Sequence, residues 1–289
     1  NTLIYSVYAE ELRSNTAFLY PSKIIFGVEQ DQKFKGLRIL DTYPGSGMSV
    51  FRLLAEMKPE DIHKITVADE YGAFSALSKE NLTINRISTK TPRLEGITLM
   101  MSTFFISSKT HSLKKDANAI MFERSDFHLD AAEKGPRFNV IDLNNYGSPM
   151  EYLDFAFMSI EENGNSLAVL IRVIDFLRLY VPFKGLLGVT FSDFKSVTGM
   201  DQSKLFYKYG VLNSPSDNYL EVIQISSMRL KRKIKVGFRV ALNCLNKAAS
   251  KYNKEITPII YFFSDYYLRI YIKVTTAKKE ELSPNNAIV

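Results

Sequence analysis

Cysteine is nearly missing from this chain. A single residue in 289, Cys244, excludes an internal disulfide framework and a cysteine-rich zinc site, and it fits a reducing, intracellular compartment. Histidine is almost as scarce. His63, His111 and His128 hold no metal-ligand spacing with one another or with Cys244, so no metal is expected. There is no Ser-His-Asp order and no phosphate-binding P-loop. Long apolar runs are missing too. The most apolar window, Leu167 to Val181, is shorter than a membrane span, and Arg172, Asp175 and Arg178 interrupt it at three-residue spacing. That spacing predicts an amphipathic helix rather than a membrane segment. No signal-peptide pattern opens the chain, which begins Asn1-Thr2.

Tryptophan is absent, yet 46% hydrophobic and 12% aromatic residues are the content of a globular protein, with length for one large domain or two small ones. A net charge of +6 favours a polyanionic partner without requiring one. The chain has no repeat and no low-complexity block. Strands and helices alternate, which predicts a mostly parallel α/β sheet. The expected strands are Leu37–Leu40, Ile65–Ala68, Ile97–Met101, Phe138–Leu143 and Gly185–Phe191. Ile259–Phe263 and Tyr267–Val274 follow, joined as an antiparallel hairpin through Ser264-Asp265. Helices are expected over Ser49–Met57, Ala73–Asn81 and Val236–Tyr252, and loops over Arg86–Glu95 and Thr103–Lys115. The sum is a seven-stranded sheet with one reversed strand. Residues 1–35 form an extension before it, residues 36–275 the domain, and residues 276–289 a polar tail.

In open α/β sheets, ligands bind beyond the carboxyl ends of the strands. The first strand enters Asp41-Thr42-Tyr43-Pro44-Gly45-Ser46-Gly47 and then a helix. Gly45 and Gly47 let backbone approach a ligand, and a helix amino terminus offers free N–H groups. The third glycine of the dinucleotide fingerprint is missing. Asp41 disfavours a pyrophosphate and suits an amino-bearing ligand, which points to S-adenosylmethionine; an ordinary strand–helix turn fits the same residues. Asp69, 22 positions past Gly47, ends the second strand, where an acid can accept from both ribose hydroxyls. Glu70 takes that role if the register moves by one. Asp116-Ala117 precedes a short apolar stretch and suits either an adenine contact or a helix N-cap.

The fourth strand ends in Asp142-Leu143-Asn144-Asn145-Tyr146-Gly147-Ser148-Pro149. A purine's exocyclic amine is a poor nucleophile because its lone pair is delocalised. The Asn144 carbonyl oxygen can hold such an amine toward a methyl donor while Tyr146 stacks on the base. An Asx-rich turn after any strand fits equally well. Arg229, Lys231, Arg232, Lys233 and Lys235 form a dense basic run suited to phosphates, or to a solvated helix start; Lys208 between Tyr207 and Tyr209 competes as an RNA contact.

Several of these segments, in order, resemble the tRNA (guanine-26-N2)-dimethyltransferases. They are Ile39-Leu40-Asp41 with Gly45-Ser46-Gly47, Ala68-Asp69, Asp116-Ala117, Ile141 through Pro149, Thr190-Phe191-Ser192-Asp193, Tyr207-Lys208-Tyr209-Gly210, and Phe238-Arg239 through Lys251-Tyr252 to Asp265-Tyr266-Tyr267-Leu268-Arg269. Coverage runs over residues 17–275 and is weakest at 86–115. The resemblance implies a Rossmann-like class I methyltransferase sheet, S-adenosylmethionine as cofactor, a tRNA guanine amine as acceptor, and a further carboxy-terminal domain; a monomer is expected. It implies that Asp41, Gly45 and Gly47 cradle the methionine part, Asp69 the ribose, and Asp116 with Ala117 the adenine. Asn144 would hold the guanine amine, with Tyr146 and Phe18 stacking on the base. Three positions depart from the family. Its catalytic Asp-Pro-Tyr stands here as Asn144-Asn145-Tyr146. Its Phe-Asn-Arg-Asp falls near Phe26-Gly27-Val28-Glu29 without the Arg, and its His-Glu pair near Ile234-Lys235. Two other classes stay open: a non-catalytic tRNA-binding protein on the same fold, and a methyltransferase of small molecules or proteins.

Overall fold

The computed structural model describes residues 1–19, 24–25, 28–29, 34–68, 81, 84, 116–125, 136–161, 185–211, 226–264 and 266–277, with side chains at all of these except 15–19, 24–25, 28–29 and 226–232. The chain opens with helix α1 (Thr2–Leu19), followed by a two-stranded ribbon of β1 (Ile24–Ile25) and β2 (Val28–Glu29). The core begins with β3 (Leu37–Asp41), α2 (Met48–Glu56), a 3-10 turn at Pro59–Asp61 and β4 (Ile62–Val67). Then come α3 (Ala117–Phe122), β5 (Val140–Leu143), α4 (Met150–Ser159) and β6 (Gly185–Phe191). Helices α5 (Phe194–Val197), α6 (Gln202–Tyr209) and α7 (Ser226–Ser250) precede the hairpin of β7 (Lys254–Ser264) and β8 (Tyr267–Thr276).

The main sheet runs in the order β4-β3-β5-β6-β8-β7. Strands β4, β3, β5 and β6 pair in parallel, and β8 is antiparallel to both of its neighbours. The single reversed strand is the one expected from the hairpin. Among the described residues this sheet has six strands, not seven; the strand expected over residues 97–101 lies outside them. The helix expected over 167–181, the loops over 86–95 and 103–115, and nearly all of the helix expected over 73–81 lie outside them as well.

Period-two alternation assigns each strand residue to a face. Leu37, Ile39, Val140, Leu186 and Tyr271 pack on one face with Val50, Phe51, Leu53 and Leu54 of α2. Tyr5, Tyr8, Ala9 and Leu12 of α1 join them, three or four residues apart as a helix stripe requires. Leu40, Ile141, Leu143, Leu187, Val189, Phe191, Ile270 and Ile272 face the other way, against α3, α4 and α7. On α7 the buried positions Val240, Ala241, Cys244, Leu245, Ala248 and Ala249 recur with the helical period. α7 begins ten residues before the expected start at Val236, because residues 226–235 are rich in Lys and Arg, and periodicity detects a helix only where apolar residues recur. Gly36, at φ +96, is one position where glycine is required, since a Cβ there would stand 2.6 Å from the His63 backbone nitrogen. Pro258 sits in β7, an edge strand, beside a register shift in its pairing with β8, the kind of place a sheet tolerates proline. No helix among the described residues is long and apolar enough to cross a membrane.

Candidate active site

The parallel strands β3, β5 and β6 bring their carboxyl ends to one edge of the sheet. Asp41 closes β3, and the chain turns through Thr42–Gly47 into α2. The Asp41 carboxylate accepts from the Tyr43 backbone N–H at 3.0 Å and from the Ser49 hydroxyl at 2.5 Å. It therefore ties both ends of the turn. Gly47 donates to the Pro44 carbonyl at 2.8 Å, and Gly45 and Gly47 both take left-handed φ values, +54 and +83. A Cβ at Gly45 would meet nothing within 4 Å, so the turn has open space above it. Gly47 is the N-cap of α2 and brings no side chain to its first N–H groups. Burial, with the neighbouring Asp142 charge, pushes the Asp41 carboxyl up to about 6.

Thr42 joins this turn to β5: its N–H and hydroxyl both donate to the Asp142 carbonyl, at 3.1 and 2.9 Å. Beyond Leu143 the chain forms the loop of Asn144 to Pro149. Gly147, at φ +96, donates its N–H to the hydroxyl of Ser192, just past β6, and its carbonyl accepts from the Ser192 N–H at 3.0 Å. The Asn145 side chain is buried and donates to the Ser148 carbonyl at 3.0 Å. Tyr146 is 95% exposed and presents its ring outward.

Under this loop lies a buried polar cluster. The pairing register sets Asp41, Asp142, Gly188 and Tyr271 in one row across four strands, and Asn144, Thr190 and Arg269 fall one pleat further on, on the same face. Asp142 and Arg269 are 3% and 5% exposed and form an ion pair at 2.7 Å. The guanidinium also donates to the Tyr271 hydroxyl at 2.8 Å, to the Thr190 hydroxyl at 2.6 Å and to the Asn144 carbonyl oxygen at 3.2 Å. Thr190 in turn donates to that same oxygen at 3.0 Å. The Tyr5 hydroxyl of α1 and the side-chain amide of Asn1, just before it, donate to Asp142 at 2.7 and 2.9 Å. Burial works against the Arg269 charge, but Asp142 outweighs it and holds the guanidinium above its ordinary pKa. Burial and Asp142 together push the Tyr5 phenol up, so it stays a donor.

The remaining sequence-predicted residues are distributed as follows. Asp116 caps α3, its carboxylate accepting from the Asn118 N–H at 3.3 Å, and Ala117 is buried behind it. Burial and a hydrogen bond with Tyr43 raise the Tyr152 phenol, which also feels the Asp116 charge. Tyr152 packs edge-on against Tyr43 of the glycine turn, with ring centroids 6.5 Å apart. Lys208, on α6, pairs with Asp193 at 3.0 Å. The basic run belongs to α7, on the sheet face opposite α1; Lys235 is exposed and Lys233 half-buried. Asp69 and Glu70 lie outside the described residues, as do the side chains of Phe18, Arg229, Lys231 and Arg232. Among the described residues no three His, Cys, Asp or Glu side chains group as a metal site.

Sequence reading gives no role to Tyr5, and Asp142, Thr190 and Arg269 enter it only as members of the resembling segments, with no site function. The available signal was a lone Asp in the buried run Val140–Leu143 and a lone Arg between Leu268 and Ile270. Opposite charges in two apolar strands of one sheet are expected to be partners, because neither is buried alone at tolerable cost.

The family model of N2,N2-dimethylguanosine tRNA methyltransferases matches residues 17–171 and 174–286 of this chain. A tRNA (guanine(26)-N(2))-dimethyltransferase of Mus musculus is 22% identical over 257 residues, 88% of this chain and 29% of the mouse protein. The enzyme of that name from Pyrococcus abyssi is 25% identical over 249 residues, 86% of this chain and 52% of the archaeal one. The chain thus spans from under a third to about half the length of these relatives. The solved complex of Trm1 from Pyrococcus horikoshii with S-adenosyl-L-methionine superposes with a TM-score of 0.55 at 18% identity, covering 96% of this chain and 56% of that one, and so shares the fold. With the family model accounting for nearly every residue from 17 to 286, this chain belongs to the N2,N2-dimethylguanosine tRNA methyltransferase family.

Proposed function

We propose that this chain is an S-adenosylmethionine-dependent tRNA methyltransferase acting on the N2 amine of a guanine. The observation that carries the reading is the Thr42–Asp142 link, which sets the glycine turn and the Asn144–Tyr146 loop side by side at the carboxyl ends of β3 and β5. Transfer between two bound groups needs mainly that juxtaposition. The relatives carry the same activity in their names, and the Pyrococcus horikoshii relative binds S-adenosyl-L-methionine.

The residues present fit the cofactor. Gly45 and Gly47 hold the turn in left-handed backbone with open space over Gly45, and the uncapped start of α2 suits a carboxylate. Asp41 acts on the ligand through the turn it ties, Asp69 serves the ribose, and Asp116 with Ala117 the adenine amine. When bound, the cofactor supplies a methyl group on a sulfonium. On the acceptor side Asn144 and Tyr146 meet the base, joined by Phe18. Arg229, Lys231, Arg232, Lys233, Lys235 and Lys208 contact RNA phosphates. Residues 1–35 serve as an extension that completes the site, residues 36–275 as the transferase domain, and residues 276–289 lead toward a further domain; the protein works as an intracellular monomer on tRNA. Calorimetric titration with S-adenosylmethionine tests the cofactor half: 1:1 binding that weakens by about 1–3 kcal/mol in Asp69→Ala supports it, and no binding by the parent refutes it.

A further inference from the structure

We infer that Arg269 is a positioning residue that locks Asn144 with its amide oxygen inward and its N–H2 edge toward the acceptor nucleoside. The inference rests on the function proposed above and concerns its acceptor side.

The orientation follows from donor and acceptor chemistry. A guanidinium has N–H donors and no acceptor, so the edge of Asn144 that meets Arg269 at 3.2 Å is the oxygen. Thr190 joins the same arrangement: its hydroxyl accepts from Arg269 at 2.6 Å and donates its one proton to the Asn144 oxygen at 3.0 Å. Both lone-pair directions of the Asn144 oxygen are then used. Arg269 is itself held in place. Two of its remaining N–H groups are committed to Asp142 at 2.7 Å and Tyr271 at 2.8 Å, in a site only 5% exposed. Gly188 makes the approach possible, since a Cβ there would lie 3.0 Å from the Tyr271 ring and 3.3 Å from the Arg269 guanidinium.

A purine amine also carries two N–H donors. An outward N–H2 edge cannot accept from it, and donor facing donor is repulsive. Asn144 as it stands therefore restrains amine methylation. An Asp at this place would keep one oxygen on Arg269 and Thr190 and turn the second outward as an acceptor, with the charge that makes such bonds strong. Residue 144 is in this sense a rate-setting position whose polarity Arg269 fixes.

The experiment is single-turnover methyl transfer to an unmodified tRNA transcript with saturating S-adenosylmethionine, comparing the parent with Asn144→Asp. The expected gain is about tenfold or more, the worth of one charge-assisted hydrogen bond in the transition state. In an Arg269→Lys background the amide is free to turn, so the gain from Asn144→Asp shrinks at least about threefold; a merely structural Arg269 would leave that ratio unchanged. An Asn144→Asp variant no faster than the parent overturns the inference. Where Arg269→Lys does not fold, side-chain amide NMR of the folded parent decides: freely exchanging Asn144 N–H2 protons support the inward oxygen, and protected ones overturn it. Calorimetric binding of S-adenosylmethionine is read in parallel. A parent that binds no cofactor refutes the proposed function, while the NMR result still judges the orientation.

Discussion

The guanidinium of Arg269, on β8, reaches over Gly188 of β6 to the Asp142 carboxylate of β5 at 2.7 Å. Two buried charges are thereby matched across three strands. Removing one leaves the other uncompensated. Arg269→Met is expected to destabilise the fold by about 3–5 kcal/mol, and adding Asp142→Leu should recover at least about half of that loss. Urea unfolding of the two variants checks it. A double variant no more stable than Arg269→Met would mean that Asp142 is satisfied without Arg269.

Asp41 gives stability a pH dependence of definite sign. Its carboxyl stands at about 6 in the fold, above the ordinary value of 3.8, because of burial and the Asp142 charge. The folded state thus holds this proton more tightly than the unfolded chain. The contribution is full below about pH 4 and is lost as pH rises through about 6. Asp41→Asn keeps an acceptor for the Tyr43 N–H but does not titrate. Stability of the parent relative to Asp41→Asn should therefore fall by an amount on the order of 1–3 kcal/mol from pH 4 to 7 and then level. Thermal unfolding across that range checks it, and a rising difference would contradict the assignment.

The sheet was legible where strands are wholly apolar and end in turn residues. Gly185–Phe191 has the bounds read from its residues, and β3 and β5 differ by one or two positions at their ends. Helix α1 is not legible in the sequence, because three of the four residues of its stripe, Tyr5, Tyr8 and Ala9, carry a hydroxyl or are small, which leaves Leu12 as its one strong apolar signal. The Asp41–Gly47 turn and the Asn144–Tyr146 loop were legible as segments, since turn chemistry is local. What the Asn144 oxygen faces was not. It depends on Arg269, 125 residues away and brought near only by the register of β6 with β8. Local pattern carries no information on such pairing.

The basic run of α7 has a salt-dependence signature. Lys235 and Arg239 are exposed and lie four residues apart on one stripe of the helix. If this surface neutralises RNA phosphates, Lys235→Glu with Lys231→Glu should lower tRNA affinity and reduce the slope of log K against log salt by about 2. Filter binding between low and moderate salt measures that slope. An unchanged slope would make the run a solvated helix face.

The central claim is that this chain moves a methyl group from S-adenosylmethionine to the N2 amine of a guanine in tRNA. The most direct measurement incubates the chain with methyl-labelled S-adenosylmethionine and unmodified tRNA, then digests the RNA and identifies the labelled nucleoside. The account predicts N2-methylated guanosine at a single position, formed faster by Asn144→Asp than by the parent. Label on any other base, or RNA left unlabelled by parent and variant alike while the cofactor binds, would contradict it.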